Sequence, residues 1–159
     1  MGLNIGIIMG GYSEEVNISL KSGEVVFNTL KKTHNCFKLY LLKENWYYVD
    51  NYQKKHKIIK ETFKIENNLE IEFDCIFNAI HGSPGEDGEI HEYFNNLNIP
   101  ITGSGIKQSE LTFDKIKCIK FLKEKNIKIA NSIVINKSTN ISLKKIESEI
   151  GFPCFIKAS

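Results

Sequence analysis

Two kinds of hydrophobic pattern alternate along this chain and predict its secondary structure. Short, nearly continuous apolar runs are typical of buried strands, and they occupy residues 4–9, 36–42 and 73–80. Segments whose apolar residues recur three or four positions apart predict four helices. The first begins at Ser13 and ends near Lys31-Lys32, and the others run over residues 89–97, 112–125 and 142–149. Residues 46–49 and 57–65 predict a small hairpin.

The alternation of strands and helices predicts an α/β fold with an open parallel sheet. Two further apolar segments, residues 129–135 and 153–157, predict strands of a second domain. The last of these ends the sequence with nothing after it to cover it. We therefore expect a first domain over residues 1–113 and the beginning of a second, incomplete domain over residues 114–159.

Composition narrows the class of protein. The 159 residues are 42% hydrophobic and 25% charged, which is ordinary for a globular chain with a packed core. No apolar run approaches the roughly 20 residues that span a bilayer, and the first apolar run is too short for a signal peptide. We therefore expect a cytoplasmic protein that binds no membrane.

The charge argues against a nucleic-acid partner. The net charge is only +2 and every basic residue is a lysine, so the guanidinium forks that read guanine edges are absent. The lysine-rich residues 43–64, with their interleaved aromatics, suit a half-buried hairpin better than a nucleic-acid surface. Four separated cysteines, and an Asn95 where a second zinc-binding histidine would follow His91-Glu92, predict no metal ligands.

Two loops hold the candidate chemistry, because open α/β sheets bind ligands at the carboxyl ends of their strands. The first loop, residues 10–15, contains Glu15, which could bind a substrate ammonium near the start of a helix. The alternative is that Glu14 and Glu15 only complement the dipole of a helix capped by Ser13. The loop is not a dinucleotide fingerprint, and no P-loop occurs in the chain.

The second loop, residues 81–88, begins with His81 directly after an apolar strand. Its imidazole could contact a carboxylate and be oriented by Glu86 across the glycine turn, or it could be an ordinary turn residue. Farther along, Lys115 and Lys157 could meet at a polyphosphate, or could lie on solvated faces of a lysine-rich chain.

Taken together, these segments resemble the D-alanine:D-alanine ligase family of the ATP-grasp superfamily. The resemblance rests on GGYSEE at residues 10–15, ISL and SG within residues 18–23, HG and GEDG within residues 81–88, IPITGSG at residues 99–105, Asp114-Lys115, and GFP before FIK at residues 151–157. It runs from Asn4 to Ser159. It implies a Rossmann-like domain, of the kind that precedes an ATP-grasp domain, followed by the beginning of that α+β domain.

The resemblance also implies an activity. Such ligases make D-alanyl-D-alanine for peptidoglycan: the carboxylate of one D-alanine takes the γ-phosphoryl group of ATP, and the amine of a second D-alanine attacks the acyl phosphate. By position in the motifs, Glu15 would hold the first ammonium and His81 would lie by the carboxylate of that substrate. Ser13 and Glu86 would support these two residues.

By the same resemblance, Lys115 and Lys157 would bind the ATP phosphates, and magnesium would be held by residues that the family carries beyond the position of Ser159. Lys157-Ala158-Ser159 stands where the family usually has lysine-proline-serine. Family members are commonly homodimers, so a homodimer is also expected. We therefore interpret the chain as the N-terminal half of such a ligase, inactive alone; the alternative is a non-catalytic α/β domain that binds a small molecule or a partner.

Overall fold

The computed structural model describes residues 2–66, 71–138 and 141–157. Its internal contacts divide the chain into two compact units, Met1–Glu110 and Leu111–Ser159. The domain boundary expected from the sequence, after residue 113, stays a prediction. None of the described helices is long and apolar enough to cross a membrane.

The first unit is built on a six-stranded sheet. Its strands are β1 (Asn4–Gly11), β2 (Asn35–Leu42), β3 (Trp46–Val49), β4 (Lys55–Ile59), β5 (Lys64–Ile65) and β6 (Cys75–Asn78). They lie in the order β5-β4-β3-β2-β1-β6. Strand β1 pairs in parallel with β2 and β6, whereas the pairs β2-β3, β3-β4 and β4-β5 are antiparallel. The predicted α/β fold is confirmed, but the sheet is mixed rather than wholly parallel because the predicted hairpin joins its edge.

Five helices are assigned among the described residues. They are α1 (Val16–Leu30), α2 (Glu89–Asn96), α3 (Ile106–Phe113), α4 (Lys115–Glu124) and α5 (Leu143–Glu149). Helix α3 is not predicted from the hydrophobic pattern of the sequence. Of its apolar residues only Ile106 and Phe113 stand at helical spacing, and its buried residue is Ser109, so its hydrophobic pattern is weak.

Successive side chains of β1 enter two cores on opposite faces of the sheet, as the two-residue period of a strand requires. Ile7 and Met9 are fully buried against apolar residues of α1, such as Leu20 and Phe27. Ile8, also fully buried, belongs to the core on the other face. Full burial of each such side chain contributes about 1.5–3 kcal/mol, so β1 is held from both sides.

An aromatic cluster connects the antiparallel edge of the sheet to α2. The Trp46 ring lies edge-on to Tyr93, with 5.0 Å between the ring centroids, and Phe63 lies edge-on to Phe94 at 4.9 Å. Edge-to-face pairs of this kind add about 0.5–1.5 kcal/mol each beyond the area that they bury. The hairpin therefore fixes α2, and with it the loop from which α2 starts.

The second unit contains no buried residue among those described between positions 111 and 157. Val134 is 56% exposed and Ile156 is 91% exposed. The strands predicted at residues 129–135 and 153–157 are wrong for the described residues, which are irregular there. A strand needs a hydrogen-bonded neighbour as well as apolar side chains, and none of the described residues pairs with either segment.

Gly23 of α1 packs directly on β1, and we predict that Gly23→Ala destabilises the chain by about 1–3 kcal/mol. An added Cβ would lie 2.6 Å from Cε of Met9 and 2.7 Å from its Cβ. At an exposed helical position the same change would stabilise by about 1 kcal/mol. Urea unfolding measures the effect, with Asn28→Ala on the exposed face of α1 as the control. A more stable Gly23→Ala variant would contradict this packing.

Candidate functional site

The two loops singled out by the sequence lie side by side at one edge of the sheet. The first follows β1 and the second follows β6, and these strands are parallel neighbours. The backbone N–H of Tyr12 donates to the carbonyl of Ser83 across the loops, at 2.8 Å. The carboxyl ends of two adjacent parallel strands therefore bring both loops together, as open α/β sheets do.

Glycines allow the two backbones to come this close. A Cβ on Gly11 would lie 2.8 Å from Cγ2 of Ile80, and the φ angle of Gly11 is +101°. A Cβ on Gly82 would lie 2.7 Å from Oγ of Ser13, at a φ angle of +73°. Any side chain at either position would clash with the other loop and would also strain the backbone.

Ser19 connects the start of α1 to the ends of both strands. Its hydroxyl accepts the N–H of Gly10 and donates to the carbonyl of Ala79, each at 2.8 Å. Ser19 is fully buried. Without this side chain, a donor and an acceptor would lack partners in the interior, which is costly.

His81 is held at two points. Its backbone carbonyl accepts the hydroxyl of Ser13 at 3.1 Å, and Nε2 of its ring lies 3.1 Å from the Ser22 hydroxyl on α1. The residue is only partly buried. A fixed imidazole that is still accessible is suited to binding a charged group.

Glu15 immediately precedes α1, and its side chain makes no capping hydrogen bond. The Ser13 hydroxyl accepts the Glu15 N–H at 3.2 Å and donates to the second loop. The prediction that Ser13 caps a helix with Glu14 and Glu15 in its first turn is therefore wrong, because that hydroxyl closes a local turn instead. The exposed Glu15 carboxylate approaches the second loop: Oε2 lies 3.5 Å from the point that a Cβ on Gly82 would occupy.

Glu86 acts on the backbone rather than on the imidazole. One of its carboxylate oxygens accepts the N–H of Gly82 at 3.0 Å. The expected direct orientation of the His81 ring by Glu86 is therefore corrected, since the ring contact is made by Ser22. The Glu86 side chain turns back to a residue four positions earlier and stabilises the glycine turn. It therefore supports His81 through the backbone of the adjacent Gly82.

A second chain of contacts holds the first loop from the side of the aromatic cluster. The Trp46 Nε1–H donates to the Tyr12 hydroxyl at 3.1 Å. Burial is the main cause that raises the pKa of the Tyr12 hydroxyl above its ordinary value, and Glu89 and Asp87 raise it further. Tyr12 therefore remains a neutral hydrogen-bonding group at physiological pH.

The two candidate phosphate-binding lysines belong to the second unit. Lys115 is the first residue of α4, and the preceding Asp114 caps that helix by accepting the N–H of Lys117 at 3.0 Å. This hydrogen bond is the main cause that lowers the pKa of Asp114. The Lys157 ammonium lies 5.8 Å from the centroid of the Phe155 ring. Neither lysine forms an ion pair with any of the described residues.

A metal centre is not assembled by the part of the chain that the structure describes. No group of three or more His, Cys, Asp or Glu side chains there lies close enough together to hold a metal ion.

The sequence assigns no role to Ser19 or Ser22, although both stand in segments that carry the family resemblance. Ser19 donates to a carbonyl 60 residues away along the chain, and Ser22 contacts a ring 59 residues away, so no local pattern reveals these contacts. Their spacing of three positions places both hydroxyls on one face of α1.

Comparisons with known proteins agree on one family. Residues 4–104 match the family described as the D-ala D-ala ligase N-terminus. The chain is 46% identical over 156 residues to a D-alanine–D-alanine ligase of Flavobacterium johnsoniae, which covers 97% of this chain and 48% of that protein. The chain thus spans about half the length of the curated relatives it matches.

Solved structures confirm the fold. The D-alanine–D-alanine ligase of Coxiella burnetii gives a TM-score of 0.74 at 22% identity, covering 82% of this chain and 43% of that one. The ligase of Bacillus anthracis, solved in complex with ATP, gives a TM-score of 0.66 at 24% identity and covers 93% of this chain and 43% of that one.

Ser19→Ala tests the connection between the two loops. We predict a loss of about 1–3 kcal/mol in the free energy of unfolding, because the Gly10 N–H and the Ala79 carbonyl lose their buried partner. Thr29→Ala is the matched control, since Thr29 lies exposed on the same helix and its hydroxyl bonds only to the carbonyl of Val25. Equal stabilities of the two variants in urea unfolding would contradict the prediction.

Proposed function

Because the chain belongs to the D-alanine–D-alanine ligase family, we propose that its first unit binds the first D-alanine of the ligase reaction. The observation that carries the proposal is the approach of the Glu15 carboxylate to Gly82, the residue that follows His81. An amino acid carries an ammonium and a carboxylate on one carbon atom. A carboxylate and an imidazole on adjoining loops are complementary to that pair of charges.

In this proposal Glu15 binds the substrate ammonium and His81 binds the substrate carboxylate. Ser13 supports both residues, since its hydroxyl bonds to the N–H of Glu15 and to the carbonyl of His81. Glu86 fixes the turn that follows His81. The two residues follow different strands, and the Ser13 hydroxyl connects their backbones before any substrate binds. A connection that is already formed lowers the entropy cost of binding.

The second unit would contribute to the ATP site. Lys115 and Lys157 have no carboxylate partner among the described residues, so their ammonium groups suit the phosphates of ATP. ATP supplies the phosphoryl group that activates the carboxylate of the first D-alanine. The described residues do not fit a magnesium site, so we derive no step from that ion.

The complete reaction, the joining of two D-alanines for peptidoglycan, is proposed for a protein that includes the remainder carried by the relatives. The chain matches 48% of the length of the Flavobacterium johnsoniae ligase. A cytoplasmic location, expected from the shortness of the apolar runs, and a homodimer, implied by the resemblance, both stay predictions.

Binding of D-alanine by the purified chain tests the proposal. We predict that Glu15→Gln weakens binding about tenfold or more, because a charge-assisted hydrogen bond to the ammonium is lost while the shape is kept. Glu14→Gln is the matched control, since Glu14 is the exposed neighbour with the same charge. Titration followed by NMR measures both, and equal weakening by the two variants, or no binding by the unaltered chain, would refute the assignment.

A turnover assay tests whether catalysis needs groups beyond those of this chain. We predict no D-alanine-dependent formation of ADP by the 159-residue chain alone. Fusing it to the part of the Flavobacterium johnsoniae ligase that follows the matched half should restore this activity. Lys115→Met in the fusion should abolish it again. ADP formation by the unfused chain would show that the proposed division is wrong.

A further inference from the structure

The ring of His81 has one hydrogen-bonding partner among the described residues, and that partner lies outside the two loops. Nε2 is 3.1 Å from the hydroxyl of Ser22, which lies on α1. Nδ1 makes no hydrogen bond to any described residue, and the residue is only partly buried. Nε2 is therefore in contact with α1, and Nδ1 is available to a ligand.

Ser22 is held on a rigid support. Ser19, one turn earlier on α1, is anchored by two buried hydrogen bonds to the ends of β1 and β6. Gly23, the next residue, packs on Met9 so closely that a Cβ would overlap it. The backbone that carries the Ser22 hydroxyl is thus fixed relative to the strand that leads to His81.

From this geometry we propose that Ser22 is a positioning residue, which holds Nε2 of His81 so that a protonated Nδ1 faces the substrate carboxylate. The inference rests on the proposed function and deepens it. In a neutral imidazole one nitrogen donates and the other accepts. If Nδ1 is to donate to a carboxylate, Nε2 must accept, and the Ser22 hydroxyl is the donor placed to satisfy it.

The hydroxyl is suited to this task because it can also accept. When the imidazole takes up a second proton, the Ser22 oxygen rotates its own hydrogen away and accepts the Nε2–H instead. The ring therefore keeps its orientation in both protonation states, with Nδ1–H directed to the ligand each time. A carboxylate such as that of Glu86, which accepts the N–H of Gly82 in this structure, has no proton to donate to a bare Nε2.

The tautomer of His81 in the unaltered chain is the primary test. In two-bond ¹H–¹⁵N correlation spectra of the neutral ring, we expect Nδ1 protonated and Nε2 bare. Loss of signals in His81→Asn assigns the resonances. A neutral His81 with its proton on Nε2 would overturn the proposal, and this measurement needs no variant in Ser22.

Variants of Ser22 test the cause. Ser22→Ala should return His81 toward the tautomer protonated on Nε2, which histidine prefers in water, whereas Ser22→Thr retains the hydroxyl and should preserve the Nδ1–H form. Thr29→Ala, on the same helix, should leave the tautomer unchanged. Retention of the Nδ1–H form in Ser22→Ala would overturn the role of the hydroxyl.

Substrate affinity separates this inference from the proposed function. Ser22→Ala should weaken D-alanine binding about two- to tenfold, the effect of one ordinary hydrogen bond, and Ser22→Thr should restore it. An unaltered chain that binds no D-alanine would defeat the proposed function, while the tautomer comparison would still decide whether Ser22 positions the ring. Undiminished affinity in Ser22→Ala would overturn the inference even if D-alanine binds.

Discussion

The fully buried hydroxyl of Ser19 is the contact on which the candidate site depends. It joins the N–H at the end of β1 to the carbonyl that follows β6, and it lies on the helix that begins directly after Glu15. The strand ends cannot separate without exposing a donor and an acceptor to an apolar interior. Beyond the strand ends, the hydrogen bond from the Tyr12 N–H to the Ser83 carbonyl joins the two loops, and the glycines permit this close approach.

The periodicity of the sequence predicts those parts of the fold that depend on local burial. The strand at residues 4–9 and the helix at residues 89–97 appear close to their predicted places. The strand is buried on both faces, as a continuous apolar run predicts, and the helix buries one face. The position of the two loops is predicted too, since both lie at strand ends, and the Glu15 carboxylate approaches the second loop at Gly82. Ser22 and the role of Glu86 are not predictable in this way, because a serine on a helix and a carboxylate in a turn carry no pattern that names their partners.

The second unit shows why an apolar pattern alone does not make a strand. Ile135 and Phe155 belong to segments that the sequence assigns to strands, yet they are 49% and 92% exposed. Backbone groups in such a segment need a paired neighbour, and the side chains need a surface to cover them. The relatives are about twice the length of this chain, and we expect residues beyond the matched half to provide both.

The two units therefore make different contributions to the proposed reaction. In the first unit the segments that carry the groups assigned to the substrate are connected by hydrogen bonds among residues of that unit, with Ser13, Ser19 and Ser22 as the connecting hydroxyls. In the second unit the lysines assigned to phosphate lie on a segment without a buried residue among those described. Under the proposal, the first unit already connects the segments assigned to the first amino acid, whereas the lysines assigned to phosphate would still need a core that the described residues do not form.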